Sequence, residues 1–312
     1  MKSSLSQAQL GVYYACETTV SDEANYQNPA LYTLPDSVDL DRLQAAVLAT
    51  LNAHPYMCGH IERDEEGAPM IVYGAEPLVQ RIELSLQEWT EVQKTFSRTM
   101  DIHGERLYRA EIYQVSDASS SVSRYLYLDV HHVVSDGFSL MALARDISRA
   151  YNGQPLTPET LDGAAIAQEE IARRADEAQM SEAREWYART FCDAADTDSL
   201  PIPQSELALR HAEGEADHSY AYKFYPLSVT KDDIHTIEQR FGAKESVIMQ
   251  TAWALLLATY SAEEKASYCT AYYGRSDRRT REAVTMMVHT LPVFAEWSNR
   301  PLPMPLRELM DA

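Results

Sequence analysis

The heptapeptide His131-His132-Val133-Val134-Ser135-Asp136-Gly137 gathers two imidazoles, a carboxylate and a glycine in one short stretch. An imidazole, with an unperturbed pKa of about 6.5, exchanges a proton near neutrality, so either histidine has the chemistry of a general base or a hydrogen-bonding anchor. Residues Arg124 to His132 are rich in aromatic and β-branched types and predict a strand. Alternation puts Leu126, Leu128, Val130 and His132 on one face and Tyr125, Tyr127, Asp129 and His131 on the other, so the two histidines have different duties. His132, the strand's last residue, projects toward a cleft and is the candidate for chemistry; His131 faces packing. Adjacent strand histidines that face apart do not chelate one ion, so no metal site is expected here.

The rest of the motif belongs to a strand-to-helix turn. Phe138, Leu140, Met141, Leu143, Ala144, Ile147 and Tyr151 recur at helical spacing and predict a helix closed by Asn152-Gly153. Asp136 stands at its N-cap, where its carboxylate accepts from first-turn amides. Gly137 serves a tight turn or leaves its N–H to a developing oxyanion. The plain alternative is a hydrogen-bonded structural histidine followed by an ordinary Asp-Gly turn.

The elements that must carry this turn alternate in type. Helices are expected at Gln7–Glu17, Asp39–Ala53, Leu86–Arg98, Ala164–Ala178, Glu182–Phe191, Lys231–Phe241 and Glu245–Tyr260. Strands are expected at Ala30–Leu34, Cys58–Arg63, Ile71–Tyr73, Val79–Glu83, Tyr108–Gln114, His218–Leu227 and Ala266–Tyr273, with a polar, proline-interrupted loop from Asp193 to Asp217. A chain of 312 residues exceeds one comfortable core, and this order gives an α/β protein of two lobes, 1–175 with the motif and 176–312.

Composition narrows the partners. The formal net charge of −20 argues against nucleic acid and anionic membranes, which reward basic surfaces. Cys16, Cys58, Cys192 and Cys269 are scattered without a CxxC pair, so neither a zinc site nor a disulfide framework is expected. No apolar leader follows Met1-Lys2, and the apolar run Val247–Tyr260, broken by Gln250 and Thr251, reads as a buried helix rather than a span; a cytoplasmic protein is the expectation.

His131 through Ser139 resembles the HHxxxDG active-site motif of condensation domains from nonribosomal peptide synthetases, members of the chloramphenicol acetyltransferase-like superfamily. Four further segments resemble that family's motifs in order: Leu5-Ser6-Gln7-Ala8-Gln9 with Val12-Tyr13-Tyr14, Leu51-Asn52-Ala53-His54-Pro55-Tyr56-Met57, Leu107-Tyr108-Arg109, and Gly274-Arg275 with Val288-His289-Thr290-Leu291-Pro292. His289 departs from the asparagine that the family's fifth motif, Val-Asn-Thr-Leu-Pro, carries.

The resemblance implies two chloramphenicol acetyltransferase-like lobes, mixed sheets flanked by helices, forming a V with a central tunnel, the second lobe incomplete at Ala312. It implies that His132 forms an amide bond between a carrier-bound acyl or peptidyl thioester and a carrier-bound aminoacyl acceptor, as general base or by positioning the amine. Asp136 would be held by Arg275 from the other lobe, an ion pair across the interface; the alternative is that Arg275 belongs to an exposed basic loop with Arg278, Arg279 and Arg281. His131, Asp136, Gly137 and Arg275 are the expected structural residues of the site. No cofactor is expected on the chain, the substrates riding on phosphopantetheine of donor and acceptor carrier (thiolation) domains, with adenylation domains in the same synthetase. Two other functions stay open: an acyltransferase with an alcohol acceptor, and a non-catalytic carrier-binding module.

Overall fold

The computed structural model describes residues 1–18, 26–96, 98–118, 121–156, 159–191, 224 and 226–297. They divide into two compact units, Met1–Met180 with Ala271–His289, and Ser181–Thr270 with the remainder from Thr290. The architecture is mixed α/β.

The first unit is built on a four-stranded sheet in the order β2 (Gln27–Leu34), β7 (Val122–His131), β6 (Tyr108–Ser116) and β5 (Gln80–Ser85). β7 runs antiparallel to both neighbours, pairing Gln27 with His131 and Tyr108 with Val130. β5 and β6 are parallel and therefore need a crossover, which includes α3 (Leu86–Gln93). Ser85 and Glu88 start α3 with a capping box. A smaller sheet joins β1 (Lys2–Ser4), β4 (Pro69–Val72) and β3 (His60–Arg63).

Alternation along β7 does what its sequence demands. Leu126, Leu128 and Val130 enter the main core with α2 (Leu40–Ala53) and α4 (Gly137–Tyr151), whereas Tyr127 joins Trp89, Tyr113 and Val115 on the opposite face. Asp39 caps α2 by accepting from the amides of Asp41 and Arg42 at 3.0 and 3.1 Å. Leu43, Val47 and Leu51, four residues apart, then pack inward, each burial contributing roughly 1.5–3 kcal/mol. α1 (Gln7–Thr18) packs beside the motif, and α5 (Gly163–Arg174) packs against β1.

Several boundaries differ from the sequence expectation. β2 begins at Gln27 rather than Ala30, because an edge strand tolerates Pro29, which has no N–H to give. The helix expected to Arg98 ends at Gln93, after which Phe96 turns in to stack on Tyr127 with ring centroids 4.2 Å apart. α5 and α6 (Glu177–Thr190) each lie a few residues from their expected bounds. The strand expected at His218–Leu227 and the loop at Asp193–Asp217 fall largely or wholly outside the described residues.

The second unit holds α7 (Lys231–Phe241), α8 (Glu245–Ser261) and most of the two-stranded sheet of β8 (Lys265–Tyr272) and β9 (His289–Glu296). α8 forms as expected but is not a buried helix. Ala254 and Ala258 are buried, packing with Ala266 and Trp297, and Leu255 and Leu257 are partly buried against them, while Trp253, Leu256 and Tyr260 stay exposed. A two-stranded sheet covers one narrow stripe of a helix that is apolar nearly all round. No helix among the described residues is long and apolar enough to cross a membrane.

Candidate active site

The site begins where β7 runs out of partners. The amide of His131 donates to Leu107 O at 2.9 Å and that of His132 to Tyr26 O at 2.7 Å, after which the chain enters a single 3-10 turn, His132–Val134. His132 therefore opens the turn instead of closing the strand, a shift of one residue from the sequence expectation, because Ser135 N bonds back to His132 O. Gln9, fully buried, secures this turn from α1: its amide donates to Val133 O at 2.8 Å and its oxygen accepts from Ser6 N and Tyr56 OH, each at 3.0 Å.

The two histidines are held differently. His131 is buried; its Nδ1 accepts from Val133 N at 3.1 Å, which assigns the proton to Nε2, 3.8 Å from Cys16 Sγ. Burial, aided by the neighbouring His132, pushes its pKa down to about 4. His132 is half-buried, and its Nδ1 lies 3.2 Å from Ser135 O. A carbonyl only accepts, so Nδ1 carries the proton and Nε2 keeps its lone pair. Burial lowers the His132 pKa despite the Ser135 carbonyl and the Asp136 carboxylate, so the ring is a neutral base at pH 7.

Asp136 caps α4, accepting from Ser139 N at 2.9 Å, while Ser139 Oγ accepts from Asp136 N at 3.2 Å. Arg275 Nη2 lies 2.7 and 2.8 Å from the two Asp136 oxygens, with both side chains buried, so Arg275 is not part of an exposed basic loop. The pair does not join two lobes as expected, because the segment Ala271–His289 that carries Arg275 belongs to the same compact unit as Asp136. Arg275 Nη1 donates to Thr280 O and Ala283 O, both at 2.9 Å, so the guanidinium folds its own segment as it holds the carboxylate. Arg279 instead pairs with Asp277 and, by two 2.9 Å bonds, with Glu169.

Gly274 explains its own identity. It has φ +71°, and a Cβ there would meet Met287 O at 2.0 Å. Gly137 is different: nothing stands within 4 Å of an added Cβ, so neither strain nor crowding requires glycine there.

Sequence reasoning assigned no role to Ser139, Thr285 or Met287. Ser139 Oγ also receives Thr285 N at 3.2 Å and lies 3.0 Å from Thr285 O, and Met287 N donates to Asp136 Oδ2 at 3.2 Å. The spacing of Asp136 and Ser139 was a legible capping-box signal; the main-chain contacts from Thr285 and Met287 had none. His54, the C-cap of α2, lies between the carboxylates of Asp146 and Glu159, also unforeseen. Among the described residues no cluster of three or more His, Cys, Asp or Glu is arranged to hold a metal ion.

Comparison with known proteins gives relatives along nearly the whole chain. Bacitracin synthase 3 of Bacillus licheniformis is 22% identical over 289 residues, which is 92% of this chain and 4% of that protein. Tyrocidine synthase 3 of Brevibacillus parabrevis is 24% identical over 276 residues, 85% of this chain and again 4% of the relative. The chain thus spans a small fraction of the curated relatives it matches. Among solved structures, the first condensation domain of the calcium-dependent antibiotic synthetase, in complex with a substrate analogue, matches 100% of this chain and 73% of its own, with TM-score 0.70 and 17% identity. The condensation domain from the Monacolin K polyketide synthase matches 99% of this chain and 70% of its own, with TM-score 0.74 and 16% identity. The condensation-domain family model matches residues 2–310, nearly the whole sequence, and the chain accordingly belongs to the condensation-domain family.

Proposed function

We propose that the chain forms an amide bond between a carrier-bound acyl or peptidyl thioester and a carrier-bound aminoacyl acceptor, with His132 as the catalytic residue. The observation that carries this reading is the 3.2 Å contact of His132 Nδ1 with Ser135 O, which fixes one tautomer and leaves Nε2 as the basic atom. The acceptor amine attacks the thioester carbonyl carbon; the C–N bond forms as the carbonyl π pair moves onto oxygen. His132 Nε2 takes the proton from nitrogen. The C–S bond then breaks, and the departing thiolate receives that proton from His132. The Gly137 amide, at the positive end of α4, faces the developing oxyanion. Asp136 and Arg275 are positioning residues that hold the turn, and His131 packs behind it.

Substrates tethered on phosphopantetheine arms make the encounter effectively intramolecular, so orientation supplies much of the barrier reduction. In this reading two lobes, residues 1–175 and 176–312, form a V whose central tunnel admits the two arms. Donor and acceptor carrier domains are the partners, with adenylation domains beside them in a cytoplasmic synthetase, and the chain itself binds no cofactor. The test supplies a carrier-loaded thioester donor and an aminoacyl acceptor and follows product by mass spectrometry. His132→Ala is expected to lower turnover by about a hundredfold or more while leaving thermal unfolding unchanged. Equal turnover by the variant overturns the assignment. Product only with a hydroxyl acceptor would make the chain an ester-forming acyltransferase, and carrier capture without product would make it a binding module.

A further inference from the structure

His54 and its carboxylates do more than fill the core. His54 Nε2 lies 3.1 Å from Asp146 Oδ2 on α4, and Nδ1 lies 3.0 Å from Glu159 Oε1, an ion pair rather than a well-aligned hydrogen bond. With a carboxylate at each nitrogen, only the imidazolium satisfies both. Burial opposes that charge, but Glu159 and Asp146 together raise the His54 pKa above its ordinary value. The remaining charges facing this cluster are Arg145, whose Nε lies 3.1 Å from Asp146 Oδ1, and Glu282, which pairs with Arg145 from the Ala271–His289 segment.

A buried ion cluster of this kind is weak support for stability, since well-packed apolar side chains often do as well. Its geometry gives it a different use. Glu159 Oε1, the atom that faces His54, also accepts from the amide of Val284 at 2.6 Å. Val284 begins a row: Thr285 N follows on Ser139 Oγ and Met287 N on Asp136 Oδ2. Arg275 closes the segment on itself by donating to the carbonyls of Thr280, Ala283 and Thr285. Glu159 therefore grips the segment one residue before its contact with the helix cap that follows His132.

We propose that Glu159, held by His54, is a positioning residue for the condensation reaction: it fixes the Val284 amide so that Arg275 and the Thr285 and Met287 amides meet the Asp136–Ser139 cap in register. This inference rests on the condensation reading above. Its structural half is separable, because the grip on Val284 is measurable without turnover.

The experiment measures amide hydrogen exchange across residues 283–287, together with kcat and KM, in wild type, Glu159→Ala and Glu159→Gln. Loss of a charged hydrogen bond is expected to speed exchange of the Val284 amide by about ten- to a hundredfold in Glu159→Ala, with the β6–β7 amides unaffected. kcat should fall while KM changes little. Glu159→Gln keeps an acceptor for Val284 and should restore most of the protection and kcat, while the His54 imidazole signals titrate at lower pH than in wild type. Unchanged exchange at residues 283–287 overturns the proposal, as does a loss of kcat matched by the unfolded fraction alone. Should Glu159→Ala yield no folded protein, His54→Gln decides by the same exchange measurement, faster exchange at Val284 supporting the grip and unchanged exchange overturning it. If wild type forms no amide bond, the condensation reading fails by itself, and the exchange result still decides whether Glu159 fixes the segment.

Discussion

The carbonyl oxygen of Met287 occupies the place beside Gly274 where any other residue would put its Cβ, at a distance of 2.0 Å. The two ends of the segment that carries Arg275 thus touch backbone to backbone, and the left-handed φ of Gly274 permits the approach. Gly274→Ala combines a disfavoured φ with a clash that no rotamer relieves. Its expected cost is about 2–4 kcal/mol in urea unfolding, with loss of the Asp136–Arg275 contact and of turnover. A variant of wild-type stability and activity would show that the segment relaxes at no cost.

The Asp136–Arg275 pair is buried on both sides, so removing one partner strands the other charge. Arg275→Met is expected to destabilise by roughly 3–5 kcal/mol, and Asp136→Asn/Arg275→Met by less than the sum of the single changes. A double-mutant cycle in chemical denaturation checks this; additive losses would mean that the two residues act independently.

His132 is neutral at pH 7 because burial lowers its pKa. The acidic limb of kcat/KM should therefore fall below the ordinary imidazole range near pH 6.5. A limb at or above that range, or none at all, counts against His132 as the base.

His131 has the opposite relation to stability from His54. Its folded pKa of about 4 lies below the unfolded value near 6.5, so the unfolded chain takes up the proton first as pH falls. Stability present above pH 6.5 is lost between there and pH 4, by an amount on the order of 3 kcal/mol. In His131→Asn the slope of unfolding free energy over that window should flatten. His54, whose folded pKa is raised, instead contributes stability below its unfolded value that is lost as pH rises through the folded one.

How much of this was legible depends on whether a residue's partner lies near it in sequence. Asp136 as N-cap, Asn152-Gly153 as helix stop and the split faces of β7 follow from local periodicity and turn chemistry. Arg275 was reached through resemblance, because nothing local distinguishes it from Arg278 or Arg279; only burial does. Glu159 and the amides of Val284, Thr285 and Met287 were invisible, since a backbone N–H has no side-chain signature and its acceptors lie more than a hundred residues away. The exposure of α8 was misread for a related reason: an apolar sequence states what a helix can bury, and the surrounding sheet decides what it does bury.

Residues 284, 285 and 287 are each held through their main-chain amides, which donate to the side chains of Glu159, Ser139 and Asp136. Such a grip reads spacing and ignores spelling. Exchanging the exposed side chain of Arg281 leaves each N–H where its acceptor waits, whereas inserting one residue between Gly274 and Val284 slides every N–H past its acceptor at once. Length, more than composition, is the quantity this strap holds constant.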